Sequence, residues 1–97
     1  MTGLIVKKYH IAVLDEDGTF LTRAITTLKT WYDNKIVVKT YSNSRQMFED
    51  ISINKAKNRP FDAAVLSSKD APVSMVLKQT DPSLKILMCK DEQIFEP

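Results

Sequence analysis

Hydrophobic and polar positions follow two kinds of pattern along the chain. Nearly unbroken apolar runs occupy 10–14, 61–66 and 84–89, and a β-branched and aromatic run occupies 35–41. Short apolar runs favour strands, and runs without alternation are typical of strands buried on both faces of a parallel sheet. The pattern therefore predicts four strands.

The segment between the first two runs has the spacing of an amphipathic helix. From 19 to 32 the apolar residues recur on one broad face, with polar residues opposite. This spacing predicts a first helix whose stripe, including Phe20 and Trp31, packs into the core. Asp33 and Asn34 then form a turn before the second strand.

Two further helices are predicted between the later strands. Ser42 or Ser44 is suited to cap the second helix, which precedes a polar loop over 54–60. Pro72 suits the first turn of a short third helix over 73–79. The cationic side chains of the polar loop, for which solvent exposure and contact with an anion or a partner both stay open, are Lys55, Lys57 and Arg59.

The resulting order of elements, β-α-β-α-β-α-β, predicts a three-layer α/β fold. A parallel sheet of about four strands in the order 2-1-3-4, with helices on both faces, satisfies the usual right-handed crossovers. In the flavodoxin-like arrangement of this kind, ligands bind beyond the carboxyl ends of strands one and three. Those ends carry Asp15 and Glu16 on the first strand and Ser67 and Ser68 on the third.

Composition and charge narrow the class of protein. The chain has 97 residues and a net charge of +2, and its charges are mixed in sign, so one domain over 1–97 without direct nucleic-acid binding is expected. The N-terminal extension, 1–8, is too short and too charged for a membrane span, which needs about 20 apolar residues. The single cysteine, Cys89, cannot form an internal disulfide. We expect a cytoplasmic protein with a C-terminal tail over 91–97.

Three segments resemble the receiver domains of two-component response regulators. Residues 11–17, Ile-Ala-Val-Leu-Asp-Glu-Asp, are similar to the opening of that family, where an acidic pair after the first strand holds Mg²⁺. Residues 61–67, Phe-Asp-Ala-Ala-Val-Leu-Ser, are similar to its third strand, and residues 82–88 to the start of its fourth. The resemblance covers about residues 9–92 and implies a CheY-like fold and a role in a signalling phosphorelay.

The chain departs from the receiver pattern at the positions that carry its chemistry. Ser67 stands where the family has the phosphoacceptor aspartate, and serine is a poor nucleophile without a base. The matching position of the fourth strand holds Lys90, or Cys89 if the register shifts by one. The family's fifth strand and fifth helix are missing. The resemblance therefore implies a pseudo-receiver truncated after the fourth strand.

The acidic residues near the strand ends allow several interpretations. Asp15 and Glu16 are carboxylates of the kind that Mg²⁺ prefers, but they equally suit a helix N-terminus. Without a third carboxylate at Ser67, no cofactor is expected. In the alternative function, the chain is a phosphorylatable receiver. Asp70 is then the atypical acid that accepts the phosphoryl group, with Mg²⁺ at Asp15 and Glu16. Lys90 is predicted to form an ion pair with either acid in place of the metal.

The sequence predicts a non-catalytic module rather than an enzyme. His10 is the only histidine and Cys89 lies in an apolar strand, so neither a Ser-His-Asp triad nor a Cys/His metal cluster is indicated. We expect an interaction module in signal transduction or transcription control. A small-ligand sensor at the crevice of Ser67, Ser68 and Lys90 is the further alternative.

The missing fifth helix predicts an exposed surface that mediates self-association. Without it, apolar surface beside the first helix is left open, and without the fifth strand the fourth becomes an edge that invites pairing. Packing through the first helix and the tail over 92–97 is the other expected route. A two-fold homodimer is therefore expected, alongside a protein partner in a signalling pathway. The residues predicted to form the interface are Leu84, Ile86, Met88 and Phe95.

Overall fold

The computed structural model describes residues 8–15, 21–90 and 93–95 of the chain. The strands in these ranges are β1 (Tyr9–Leu14), β2 (Ile36–Tyr41), β3 (Ala63–Ser67), β4 (Lys85–Lys90) and β5 (Gln93–Phe95). The helices are α1 (Leu21–Trp31), α2 (Ser44–Ala56) and α3 (Ala71–Thr80), and a 3₁₀ turn (Ser68–Asp70) leads into α3.

The strands form one sheet in the order β2-β1-β3-β4-β5. The first four are parallel, which confirms the predicted four-stranded parallel sheet in the order 2-1-3-4. The apolar runs explain this arrangement, because residues 11–14 and 63–66 are completely buried at successive positions. Only a strand that is covered on both faces can bury every side chain in this way.

The alternation of side chains along the strands divides the core into two layers. One layer lies between the sheet and α2 with α3, and the other lies between the sheet and α1. Main contributors to the first layer are Leu14, Leu66, Met88, Met47, Ile51 and Leu77. Main contributors to the second are Ile11, Val13, Val65, Leu87, Leu28 and Ile94.

The C-terminal segment corrects the prediction of a tail over 91–97. Within it β5 runs antiparallel to β4, with Met88 opposite Phe95 and Cys89 opposite Ile94. Ile94 is buried in the α1-side layer, and α1 contacts β5. Burial of this one apolar side chain gives the segment a reason to return along the sheet.

The predicted interface on β4 is also wrong. Leu84, Ile86 and Met88 are all buried in the layer beneath α2 and α3, so their side chains cannot meet a partner. β5 covers the backbone edge of β4 over Met88–Lys90. Phe95, the fourth predicted interface residue, lies on β5. The backbone edge of β4 is therefore covered over its second half, and pairing of two copies through β4 stays a prediction.

The first helix differs from its prediction in which residues it buries. Leu28 is completely buried, whereas Trp31 is 49% exposed, so the prediction of Trp31 in the core is wrong. Three residues place Trp31 about 60° around the helix axis from Leu28. Tyr32 packs on Tyr9 instead, with ring centroids 4.7 Å apart. Phe20 lies outside the described residues.

The helix boundaries are set by local hydrogen bonds. Asn43, rather than Ser42 or Ser44, caps α2, because its Oδ1 accepts from the Gln46 amide at 2.9 Å. The third helix begins two residues earlier than predicted, and Pro72 lies in its first turn as expected.

The second helix continues into the segment predicted as a polar loop. Its last turn includes Lys55, whose Nζ donates to the Thr80 carbonyl at 3.0 Å and so ties α2 to α3. The helix ends where Asn58 adopts a left-handed conformation, with φ of 62°, and the Arg59 amide donates to the Asn54 carbonyl at 2.8 Å. Of the predicted loop, only 57–60 is outside the helix.

Candidate functional site

The carboxyl ends of β1, β3 and β4 meet at one edge of the sheet. β1 and β3 pair up to Val13 and Val65, so Asp15 and Ser67 lie at equivalent positions two residues beyond that pair, and Ser67 pairs with Cys89. These three residues form a row across adjacent strands, about 5 Å apart. The row brings together two residues that the sequence placed at the candidate site, Asp15 and Ser67.

Asp15 is an acid that the fold largely removes from water. It is only 8% exposed, and its backbone amide donates to the Tyr41 carbonyl at 3.0 Å. That bond extends the ladder between β1 and β2 by one residue past the paired strand. Glu16, the second predicted acid, lies outside the described residues.

Ser67 has a local structural task. Its Oγ accepts a hydrogen bond from the Lys69 amide at 3.4 Å and caps the 3₁₀ turn that follows β3. Ser68 begins this turn and Asp70 ends it, both half-buried. Asp70 then stands at the start of α3, where its side chain makes no capping bond.

Lys90 does not take the position that the sequence suggested for it. Cys89, not Lys90, is in register with Ser67, and Lys90 lies one residue further along, opposite Gln93. Neighbouring residues of a strand point to opposite faces, so Lys90 is exposed while Cys89 is buried. Within the described residues no ion pair joins Lys90 to Asp15, which makes the predicted pair with Asp15 wrong.

The row does not fit Mg²⁺. Its donors are a largely buried carboxylate at Asp15, a hydroxyl at Ser67 and a thiol at Cys89, and a thiol is a soft ligand that suits other metals. Across the described ranges, no three His, Cys, Asp or Glu side chains are grouped so that they could hold a metal ion. No metal-dependent step follows from this arrangement.

A polar cluster that the sequence analysis missed joins β2 to α2. Lys39 Nζ forms an ion pair with Asp50 Oδ2, and the Tyr41 hydroxyl donates to the same oxygen at 2.7 Å. The hydrogen bond from Lys39, followed by that from Tyr41, lowers the pKa of Asp50. Burial, followed by the hydrogen bond to Asp50, raises the pKa of Tyr41. The cluster holds the edge strand against the helix.

At the opposite end of the sheet a groove of about 470 Å³ opens beside β2. We call it the amino-end groove, because it lies at the end of the sheet where the parallel strands begin. Its floor is formed by the first half of β1 and by β2. Its wall is formed by α2 and the segment before β3. The residues that line it are His10, Val37, Lys39, Asn54, Arg59, Pro60 and Phe61.

Comparison of the chain with family models, with curated proteins and with solved structures gives no match.

None of the described helices is long and apolar enough to cross a bilayer. The longest of them, α2, has 13 residues. The two ends of the sheet and the exposed surface are therefore the features of the molecule that bear on its function.

Proposed function

We propose that the chain is a receiver-like interaction module. It acts in signal transduction or transcription control by binding a protein partner or a second copy of itself. It does so without accepting a phosphoryl group and without catalysing a reaction. The strand order 2-1-3-4 and the position of Asp15 and Ser67 at neighbouring strand ends support the likeness to receivers.

The observation that carries this proposal is the serine at the end of β3. Transfer of a phosphoryl group to a receiver requires a carboxylate there, and Ser67 offers a hydroxyl that already caps a turn. Serine needs a nearby base to act as a nucleophile. The only histidine, His10, precedes Asp15 by five residues on an extended strand, about 16 Å away along β1.

A binding role is supported by large apolar side chains that the fold leaves exposed. On α3, Met75 is 67% exposed and Val76 is 45% exposed. On α2, Ile53 is about half exposed, and both helices cover the same face of the sheet. Apolar groups concentrated on a small protein's surface mark interaction sites. Self-association is therefore proposed through the helices rather than through the covered β4.

The phosphorylation half of the proposal is tested by incubation with acetyl phosphate and Mg²⁺, followed by intact-mass measurement. A phosphorylatable receiver domain serves as the positive control. We expect no phosphorylated species of this chain. A phosphorylated species that disappears in Asp70→Asn would contradict the proposal and establish the receiver that uses an atypical acid.

The association half is tested by sedimentation at high micromolar concentration. We expect a dimer that Met75→Glu weakens. Thr26→Glu is the matched control, since it adds the same charge at an exposed helical position of α1, on the other face of the sheet. A clean monomer of the unmodified chain contradicts self-association. An equal effect of both substitutions would show that net charge, not the apolar surface, governs assembly.

A further inference from the structure

The outer strand β2 has an open backbone edge. It pairs only with β1, and no described strand lies on its other side. The Tyr9 amide donates to the Lys35 carbonyl at 2.8 Å and the Asp15 amide donates to the Tyr41 carbonyl at 3.0 Å. In a parallel ladder this register directs residues 37, 39 and 41 toward β1. The N–H and C=O groups of 36, 38 and 40 therefore point outward.

The amino-end groove begins at β2 and extends across β1 toward the segment before β3. Val37 and Lys39 line it, and they share the α2-facing side of β2 with Tyr41, which is buried in that layer. A strand added alongside β2 would place every second side chain on this face. Those side chains would extend the floor of the groove beyond Val37 and Lys39, from where long acidic side chains could reach across β2 toward Arg59.

The charges at the groove favour an acidic occupant. Its lining includes His10, Lys39 and Arg59 and no carboxylate, and the Asp62 carboxylate lies beside it, where its Oδ2 accepts from the His10 amide at 2.8 Å. Lys39 is already held by Asp50, but the Arg59 guanidinium makes no ion pair or hydrogen bond to any described residue. A guanidinium presents its N–H groups as a planar fork that binds a carboxylate through two parallel hydrogen bonds.

A second copy of this chain fits the edge less well than a different partner does. Antiparallel pairing of two β2 edges about a two-fold axis would bring together two copies of Lys39 and of Lys35, which precedes the strand, although Asp50 and Asp33 partly offset these charges. Like charges on facing strands disfavour pairing, and edge lysines are a common device against it. The guanidinium of Arg59, which has no described partner, favours a segment of opposite charge as the occupant.

We propose that β2 binds an extended acidic segment of a protein partner by strand addition, with one of its carboxylates on Arg59. The segment pairs with the outward N–H and C=O groups of 36, 38 and 40, and its acidic side chains lie over the amino-end groove. The inference builds on the proposed interaction module and names the chemistry of its partner. It uses the end of the sheet opposite to Asp15 and Ser67.

The test is fluorescence anisotropy with a labelled peptide of alternating Glu and Val. We expect saturable binding that weakens with added salt and weakens at least about tenfold in Arg59→Glu, the scale of a lost charge-assisted pair. Arg45→Glu is the matched control, because Arg45 is an exposed arginine on α2 outside the groove lining and the charge change is identical. It should bind as the unmodified chain does.

A second peptide tests the backbone pairing without altering the protein. N-methylation at alternate residues removes the N–H groups that an added strand donates, and we expect it to abolish binding. Equal binding of the methylated peptide would overturn strand addition. An equal loss in both arginine variants, or displacement of the peptide by millimolar inorganic phosphate, would overturn the assignment to Arg59 and indicate non-specific attraction or a small-anion site.

The last test asks whether β2 binds a second copy of the chain instead of a partner. If the chain dimerises through β2, Val38→Pro should abolish the dimer, and the peptide should compete with dimer formation. That result would show that the occupant of the β2 edge is a second copy and would overturn the proposed partner. Phosphorylation of the chain would contradict the proposed function but leave the peptide result intact. The failures of the two proposals are therefore distinguishable.

Discussion

Replacing Leu28 or Trp31 by alanine tests which side of α1 holds the helix on the sheet. Helical spacing puts both residues on one apolar stripe, but Leu28 is completely buried and Trp31 is 49% exposed. Size alone predicts that loss of the tryptophan costs more, whereas burial predicts the reverse. The two alanine variants therefore distinguish the burial seen in the structure from the expectation based on side-chain size and helical spacing.

The magnitudes follow from burial. Leu→Ala at a fully buried site costs about 3–5 kcal/mol, because apolar contacts are lost and a cavity remains. A fully buried tryptophan would cost about as much, so Trp31, half exposed, should cost about 2 kcal/mol. The higher helix propensity of alanine returns about 0.5 kcal/mol of this. For a chain of this length, whose total stability is roughly 5–15 kcal/mol, Leu28→Ala removes a large share of it.

Urea denaturation followed by circular dichroism at the helix band provides the measurement, since Trp31→Ala removes the only tryptophan. With a slope of about 1.5 kcal/mol per M, Leu28→Ala lowers the midpoint by about 2 M or more and Trp31→Ala by about 1 M. Trp31→Phe, which keeps an aromatic ring, is the control and should shift it less. A Trp31→Ala shift that equals or exceeds that of Leu28→Ala would refute the reasoning.

Three other expectations concern local contacts. Asp50→Asn removes the carboxylate that Lys39 and Tyr41 share and should cost about 1 kcal/mol at pH 7. Because the folded-state pKa of Asp50 is lowered, its contribution to stability is fully present above its unfolded pKa of about 4. The contribution is lost as the pH falls through the folded-state pKa. The urea midpoints of the variant and the unmodified chain should therefore converge in acid. Asn43→Ala should cost about 1 kcal/mol in the same assay, and Asn43→Asp should restore most of it, since either oxygen can cap α2. Cys89, buried beneath α1, should react with a thiol reagent only at the rate of unfolding, and fast labelling of the native chain would contradict its burial.

The parallel sheet was predictable because its strands satisfy a demanding pattern. Residues 11–14 and 63–66 are apolar at every position, and few alternatives bury such runs. The fifth strand was not predictable, because it has three residues and depends on the burial of Ile94 alone in the described structure. The end of α2 was missed since Lys55 is held by the Thr80 carbonyl, a contact 25 residues away that no local pattern contains.

The same distinction applies to the candidate site. That Asp15 and Ser67 meet follows from strand order, which the sequence predicts. Whether Lys90 or Cys89 joins them depends on a one-residue register, and such a shift reverses the face of every side chain. The Asp50 cluster and the position of Arg59 depend on how α2 lies against β2, which is a matter of packing rather than of periodicity.

The serine at the end of β3 suits the burial of the neighbouring Asp15. An aspartate at Ser67 would lie one strand spacing, about 5 Å, from Asp15, which is only 8% exposed. Two carboxylates at that distance repel by about 3 kcal/mol at an effective dielectric constant of 20. A neutral residue at Ser67 avoids this repulsion, which gives a physical reason for a serine rather than a carboxylate beside the largely buried Asp15.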